Sequence, residues 1–339
     1  MGWGSGRSLG VALAGPDAPA RVAERARAAE RAGIASLWFI EDYFQTGAFA
    51  LAGAAAAVTS RIALGLGVVN PYPRHPALLA METAALAGIA PGRVVLGLGT
   101  GVRRWVEEQM RIAAPAPLGA LRDSVLVLRR LWAGERVSFT GASFALAEVA
   151  LEWKPAQPVL PIVLGVKGPR GLTLAGAIAD GVVCSVMSSP AHVRRVRETT
   201  TAARREAGRD GAFPIAAYVP VAIGGDSAAA RRSVRPLLAR YLAHLHGQTI
   251  LADAGVAPAQ TLAIREARAR GESGGPLVTE EQIDTFALAG TADHVRRRLA
   301  DWLEAGLDTP IALLAGGADP AEQLAEIGAE LGPWLARRQ

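Results

Sequence analysis

The chain has 339 residues, half of them apolar, with 36 Lys and Arg against 31 Asp and Glu, a net charge of +5 and a single cysteine. That length admits two ordinary domains or one large α/β barrel, which needs about 250 residues, and no apolar run is long and uncharged enough to predict a membrane span. The lone Cys184 excludes an intrachain disulfide and fits a reducing cytosol, while the surplus charge is mostly arginine scattered along helices beside Glu and Asp, so no nucleic acid is expected as a partner.

From the start, MGWGSGRSLGVALAG runs directly into an apolar strand at 9–15, so a secretory signal is not expected. A helix follows, with Asp17 as its N-cap and Gly33 as its stop. SLWFIED (36–42) reads as the second strand, ending in two carboxylates, and residues 46–59 as an Ala-rich helix. RIALGLGVV is the third strand, HPALLAMETAALAGI the next helix and RVVLGLG the fourth strand. In LGALRDSVLVLRRLWAGE the apolar residues Leu121, Val125, Leu128, Leu131 and Trp132 recur at helical spacing. Residues 136–151 break this rhythm and read as a hairpin excursion.

PIVLGV (161–166), GPRGLTLAGAIA and GVVCSV (181–186) then read as strand, helix and strand. A helix from Pro190 to about Ala207 leads to a seventh strand, FPIAAYVPVAI (213–223). Residues 226–288 are polar, mostly helical and too long for one crossover, so they read as an insertion. A capped helix from Thr291 to Gly306, an eighth strand TPIALL (309–314) and a closing helix (319–336) complete the chain. Eight buried apolar strands alternating with helices, with no Pro/Ser-rich linker, predict an α/β fold. The expected form is a single (β/α)8 TIM barrel over residues 1–339, with insertions at about 136–151 and 226–288, the longer between strands seven and eight.

In such barrels chemistry sits at the C-terminal ends of the strands, which directs attention to residues 61–101. GLGTG at 97–101 is not a dinucleotide fingerprint, because the third glycine would fall at Val102; GLGVVN at 65–70 fails in the same way at Asn70, and there is no Walker A sequence. These glycines would let backbone approach a planar ligand, or ease close helix–strand packing. In KGPRG, Gly168 and Pro169 stand where the fifth strand turns into its helix, a place for an anion on free N–H groups beside Lys167 and Arg170, or for an ordinary Pro-started helix. Alternation aims one of Glu41 and Asp42 into the barrel and the other outward, for catalysis or for a cap or salt bridge. Arg74 and His75, after two prolines, suit a structural clamp as well as catalysis. His244 and His246 lie two apart and diverge on a helix, and no His or Cys spacing predicts a metal.

Taken in order, IEDYF (40–44), GLGVVNPYPRHPALLA, GRVVLGLGTG, PIVLGVKGPRGLTLAGAIADGVV and FALAGTADHVRRRLADWLEAGLDTPIAL resemble the luciferase-like flavin and deazaflavin oxidoreductases over nearly the whole chain. The nearest subgroup is the coenzyme F420-dependent methylenetetrahydromethanopterin reductases and their relatives. The resemblance implies F420 (alternatively FMN) across the C-terminal mouth of a TIM-type barrel, with a non-prolyl cis peptide at Gly67–Val68 facing its ring. It places Asp42, Asn70, Thr100 and Gly101 around the ring system, and Gly165, Val166, Lys167, Gly168 and Pro169, with Ser185, at the ribityl phosphate. It further implies hydride transfer to or from a small-molecule substrate, with Asp42 first and Tyr43 second as the residue that bonds the ring or relays a proton, in a cytoplasmic homodimer.

An FMN-dependent two-component monooxygenase of the same superfamily is the alternative, and a non-catalytic ligand-binding barrel the alternative of another class. Many relatives read Asp-His where this chain has Asp42-Tyr43. The sugar-phosphate dehydrogenase branch has Glu and Asn where Val102 and Trp105 stand, which argues against a glucose-6-phosphate activity and places Trp105 to wall off or stack on the pocket. Lys167, Arg170, Arg103 and Arg104 are placed for the acidic tail of F420.

Overall fold

Strands covered on both faces need apolar residues throughout, and most strands of this chain have them. In order they are Gly10–Leu13 (β1), Ser36–Phe39 (β2), Ala63–Val69 (β3), Val94–Leu98 (β4), the more exposed Val137–Thr140 (β5) and Ala145–Val149 (β6), Ile162–Leu164 (β7), Gly181–Cys184 (β8), Ile215–Ile223 (β9), Leu288–Gly290 (β10) and Thr309–Leu314 (β11). The computed structural model describes residues 4, 6–13, 18–153, 155, 157, 159–315 and 319–338. Parallel pairing runs β1-β2-β3-β4-β7-β8-β9-β11 and returns to β1, closing eight strands into the predicted (β/α)8 barrel. β10 was not anticipated; it pairs with the end of β9, Leu288 opposite Val221.

Between the strands run Ala18–Arg31 (α1), Ala48–Ala56 (α2), Pro76–Ile89 (α3), Pro117–Trp132 (α4), Pro169–Ile178 (α5) and Pro190–Glu206 (α6). The long segment between β9 and β11 contributes Ser227–His244 (α7), Thr249–Asp253 (α8), Pro258–Ala269 (α9), Glu280–Phe286 (α10) and Ala292–Glu304 (α11); Pro320–Ala336 (α12) closes the chain. Local chemistry sets the starts: Ser189, Asp226, Thr291 and Asp319 cap α6, α7, α11 and α12 with their side chains, and proline opens α3, α4, α5 and α6. Gly33 ends α1 with a positive φ of 73°. Asp17, expected to cap α1, and residues 14–15 of the expected first strand lie outside the described residues. Among the described residues no helix is long and apolar enough to cross a membrane.

The GLGLG alternation has a packing cause. Leu64 and Leu66 face the helices, while Gly65 and Gly67 face the barrel interior, which is filled by the fully buried indole of Trp38. A Cβ at Gly65 would overlap that indole. Residues 136–151 form the expected hairpin, β5 antiparallel to β6. Its tip is pinned where Asp123 accepts from Ser143 N at 2.7 Å, and where Phe144 packs against the rings of Tyr72 and His75. In the insertion, Arg231 on α7 bonds Glu280 and Asp284 of α10, each at 2.6 Å.

Candidate active site

The C-terminal ends of the barrel strands open into a cavity of about 730 Å³. It is lined by Asp42 and Tyr43 after β2, Gly67, Val68 and Asn70 at the end of β3, Thr100 and Gly101 after β4, Gly165, Val166, Lys167, Gly168 and Pro169 after β7, and Ser185 after β8. The structure therefore brings the residues that the resemblance assigned to a cofactor to one cavity, whereas Arg74, His75, Arg103 and Arg104 do not line it. Ile40, Glu41, Trp105, Tyr218, Arg240, Tyr241 and His244 line it too.

The floor is built around β3. The Gly67–Val68 peptide is cis, as the resemblance implied, and Tyr43–Phe44 is a second cis bond that it did not. Tyr218, fully inside the barrel on β9, donates from Oη to the Gly67 carbonyl at 2.6 Å and sets its ring edge-on to Trp38, with centroids 6.4 Å apart. Burial, with Tyr241 and Asp42 nearby, holds the Tyr218 phenol far above its ordinary value, so it stays a donor. A Cβ at Gly67 would overlap Tyr218 Oη, and one at Gly99 would overlap Val68. These glycines thus make room for side chains, a role neither sequence reading anticipated.

Asn70 joins the β3 and β4 ends. Its side chain is buried, donates from Nδ2 to Thr100 O at 2.9 Å and accepts from Tyr72 N at 2.9 Å. Gly101 has a φ of 67° and a Cβ there would come within 2.6 Å of Asn70 Nδ2, so both conformation and space require glycine. Asn70, Thr100 and Gly101 form one interlocked rim.

The two carboxylates after β2 divide. Glu41 is only 4% exposed and pairs with Arg74. It also accepts from Ala48 N at 3.0 Å, capping α2. Arg74 lies 3.5 Å from Glu82 and over the Phe49 ring. His75 Nδ1 accepts from Ala77 N at 3.2 Å and caps α3. Arg74 and His75 are thereby a structural clamp. Asp42 is 29% exposed and has only a long ion pair, 3.7 Å from Arg240. Burial pushes its carboxyl up, against Arg240 and His244.

Beside it, burial and then Glu41 push the Tyr43 phenol well up, and Tyr43 Oη is buried with no hydrogen-bond partner. The Tyr43 ring meets Trp105 edge-on at 6.1 Å and Phe44 at 6.0 Å, so Trp105, on an unforeseen π-helical turn (Arg104–Gln109), walls that side.

Opposite, Gly168 caps α5 and Pro169 is its first residue, leaving the N–H groups of the first turn free for an anion. Lys167 Nζ donates to Gln248 Oε1 at 3.1 Å, and burial lowers its pKa. Arg170 also lines the cavity, whereas Arg103 is paired with Glu107. Arg240, Tyr241 and His244 come from α7, within the 226–288 insertion, where the sequence named a segment but no residue. His246 turns away to bond Thr261 Oγ1 at 2.8 Å, as two-residue spacing requires. No cluster of His, Cys, Asp or Glu among the described residues could hold a metal.

Comparison with known proteins places this geometry. A family model described as luciferase-like monooxygenase matches residues 4–309. The 5,10-methylenetetrahydromethanopterin reductase of Archaeoglobus fulgidus is 32% identical over 91% of this chain and 93% of its own length. That of Methanolobus tindarius is 29% identical over 96% and 99%. Among solved structures, the coenzyme F420 dependent tetrahydromethanopterin reductase from Methanopyrus kandleri superimposes with a TM-score of 0.89 at 26% identity, covering 98% of this chain and all of the other.

Proposed function

The chain belongs to the luciferase-like monooxygenase family, and from that membership we propose that it is an oxidoreductase using coenzyme F420, moving hydride between the deazaflavin and a small organic substrate. The three relatives compared above are named as reductases, one of them as coenzyme F420 dependent. The observation that carries the reading is the convergence, in one strand-end cavity, of the segments after β2, β3, β4, β7 and β8.

The residues fit the group. Tyr43 Oη is buried and unpartnered, and a Cβ at Gly168 would meet nothing within 4 Å, so the start of α5 is open to a ligand. The cavity is of the size that takes a cofactor-sized molecule. Gly67, Val68, Asn70, Thr100 and Gly101 would hold the ring system. Gly165 to Pro169, with Ser185, would hold its phosphate at the N-terminus of α5.

When bound, the deazaflavin supplies or accepts the hydride. The protein supplies position, exclusion of water and a proton. Tyr218 fixes the Gly67 carbonyl, and the Asn70 rim fixes the ends of β3 and β4. Tyr43 and Trp105 shield the reacting region from solvent. Asp42 is the group to hold or pass a proton, because its carboxylate faces the cavity and burial favours its protonated form. The Tyr43 phenol stays protonated and would donate a hydrogen bond to a bound ligand.

We also infer that a second copy of the chain covers α3. Its residues Leu78, Met81, Ala85, Gly88 and Ile89 are exposed along one helical face, beside the partly exposed Glu82 that Arg74 approaches.

The test is a parallel titration of purified protein with F420 and FMN, followed by fluorescence at fixed salt. Tighter binding of F420 is expected. A preference for FMN would overturn the reading in favour of a two-component monooxygenase, and binding of neither would leave a barrel without a redox role.

A further inference from the structure

The insertion lies across the mouth of the barrel. On α7, Arg240 reaches Asp42 beyond β2 at 3.7 Å. Eight residues later, past the end of α7 at His244 and a turn through Gly247, Gln248 accepts from Lys167 beyond β7 at 3.1 Å. β2 and β7 stand three strands apart around the barrel. Between those ends Tyr241, His244 and Leu245 face the cavity, so residues 240–248 form a bar over it.

Neither end contact is strong. The Asp42 pair is longer than a hydrogen bond with Arg240 51% exposed, and the Lys167 bond has a neutral acceptor in an exposed position. The bar is held from beyond the cavity. α8 follows Gln248 immediately, and its last residue, Asp253, accepts from His192 Nδ1 at 2.8 Å and pairs with Arg195. Both partners sit in the first two turns of α6, and His192 N also donates to the N-cap Ser189 at 3.2 Å.

His192 is fully buried and its Nε2 has no partner. The ring is therefore neutral, with its one proton on Nδ1 toward the carboxylate; burial holds its pKa down despite Asp253, and Arg195 and Lys167 add to that. Ile250 and Leu251 bury the apolar side of α8. Apolar contact alone tolerates sliding, whereas the directional bond to His192 sets where α8 sits on α6.

We propose that His192 and Asp253 are positioning residues: their bond docks α8 on α6 and so holds Arg240, Tyr241 and His244 over the cavity. The docking stands on geometry alone; its effect on cofactor affinity rests on the F420 reading. If removing the carboxylate drops the docked fraction to about a tenth, apparent affinity falls about tenfold in proportion.

The test is hydrogen–deuterium exchange on the ligand-free protein, paired with F420 titration, for Asp253→Ala, Asp253→Asn and Asp180→Asn. Asp253→Ala is expected to speed exchange in 240–253 and not in the barrel strands, and to weaken F420 about tenfold. Asp253→Asn keeps an acceptor for His192 and restores both. Asp180→Asn breaks the Arg129 and Arg209 pairs just before β8, at the opposite end of the barrel, and lowers the melting temperature with affinity unchanged. Unchanged exchange in 240–253, or loosening spread evenly over the barrel, overturns the proposal. If the wild type binds no F420, the cofactor reading falls and the exchange pattern alone decides the docking.

Discussion

Glu41 and Asp42 are adjacent carboxylates with opposite assignments, which makes their substitution a sharp test. Glu41→Ala removes a nearly buried acid that pairs with Arg74 and accepts from Ala48 N. Breaking a fully buried pair costs about 3–5 kcal/mol. Arg74 is 27% exposed and keeps Glu82 at 3.5 Å, so the charge part here is smaller, about 1–3 kcal/mol. Loss of the α2 cap adds about 1 kcal/mol. Over 339 residues the unfolding entropy is about 0.7 kcal/mol/K, so a total of about 2–4 kcal/mol lowers Tm by about 3–6 °C.

Among the described residues the Asp42 carboxylate accepts no hydrogen bond, and it is partly exposed. Asp42→Asn should therefore shift stability by no more than about 0.5 kcal/mol, under about 1 °C. Its effect falls on chemistry, a drop in turnover of about a hundredfold or more with cofactor affinity changed far less. Calorimetry gives the first quantity; deazaflavin absorbance with a panel of carbonyl, imine and enone acceptors gives the second. Equal losses of Tm in the two variants would refute the division of roles, and undiminished turnover in Asp42→Asn would remove that residue from the mechanism.

Tyr218→Phe leaves the buried Gly67 carbonyl without its donor, at about 1–3 kcal/mol, and should lower Tm by about 1–4 °C; an unchanged midpoint means another donor replaces it. Gly168→Ala should leave Tm within about 1 °C, since the added methyl meets open space, while weakening F420 at the start of α5; full affinity would move the anion site elsewhere. Burial raises the Glu30 carboxyl, but the amides of Arg61, Ile62 and Ser60 and the Ser60 hydroxyl more than reverse this and hold it at about 2 against 4.5 unperturbed. Its stabilisation is thus complete above pH 4.5 and lost as pH falls toward 2. Glu30→Gln should flatten that part of an acid titration followed by circular dichroism, and an identical slope would count against it. Met81→Glu places a charge in the exposed face of α3 and should convert a dimer to a monomer in sedimentation velocity; a wild-type monomer would dismiss the pairing.

What could be read from the sequence follows from which interactions are local. Strand-to-helix punctuation is local: KGPRG announces the end of β7 and the start of α5, because proline at a first helical position acts within its own turn. The order of eight apolar runs was enough for the barrel, since parallel strands must be covered on both faces. Glu41 and Asp42 were legible as a pair but not apart, because what separates them is Arg74, thirty-three residues on, and Arg240 on a distant helix.

Tyr218 left one trace, a lone phenol in the small apolar run IAAYVPVAI, yet its partner is a carbonyl 151 residues away. Its role depends on barrel closure, which no window of sequence contains. Arg240, Tyr241 and His244 left less, since a polar helix in an insertion reads as solvated surface until something fixes where it lies. The asymmetry has a consequence for the site: its floor and the start of α5 are written into strand termini, while its roof hangs on side-chain contacts between remote helices. Changes in the insertion can therefore alter what the cavity admits without disturbing the fold beneath it, and the roof is where specificity for a substrate is most readily set.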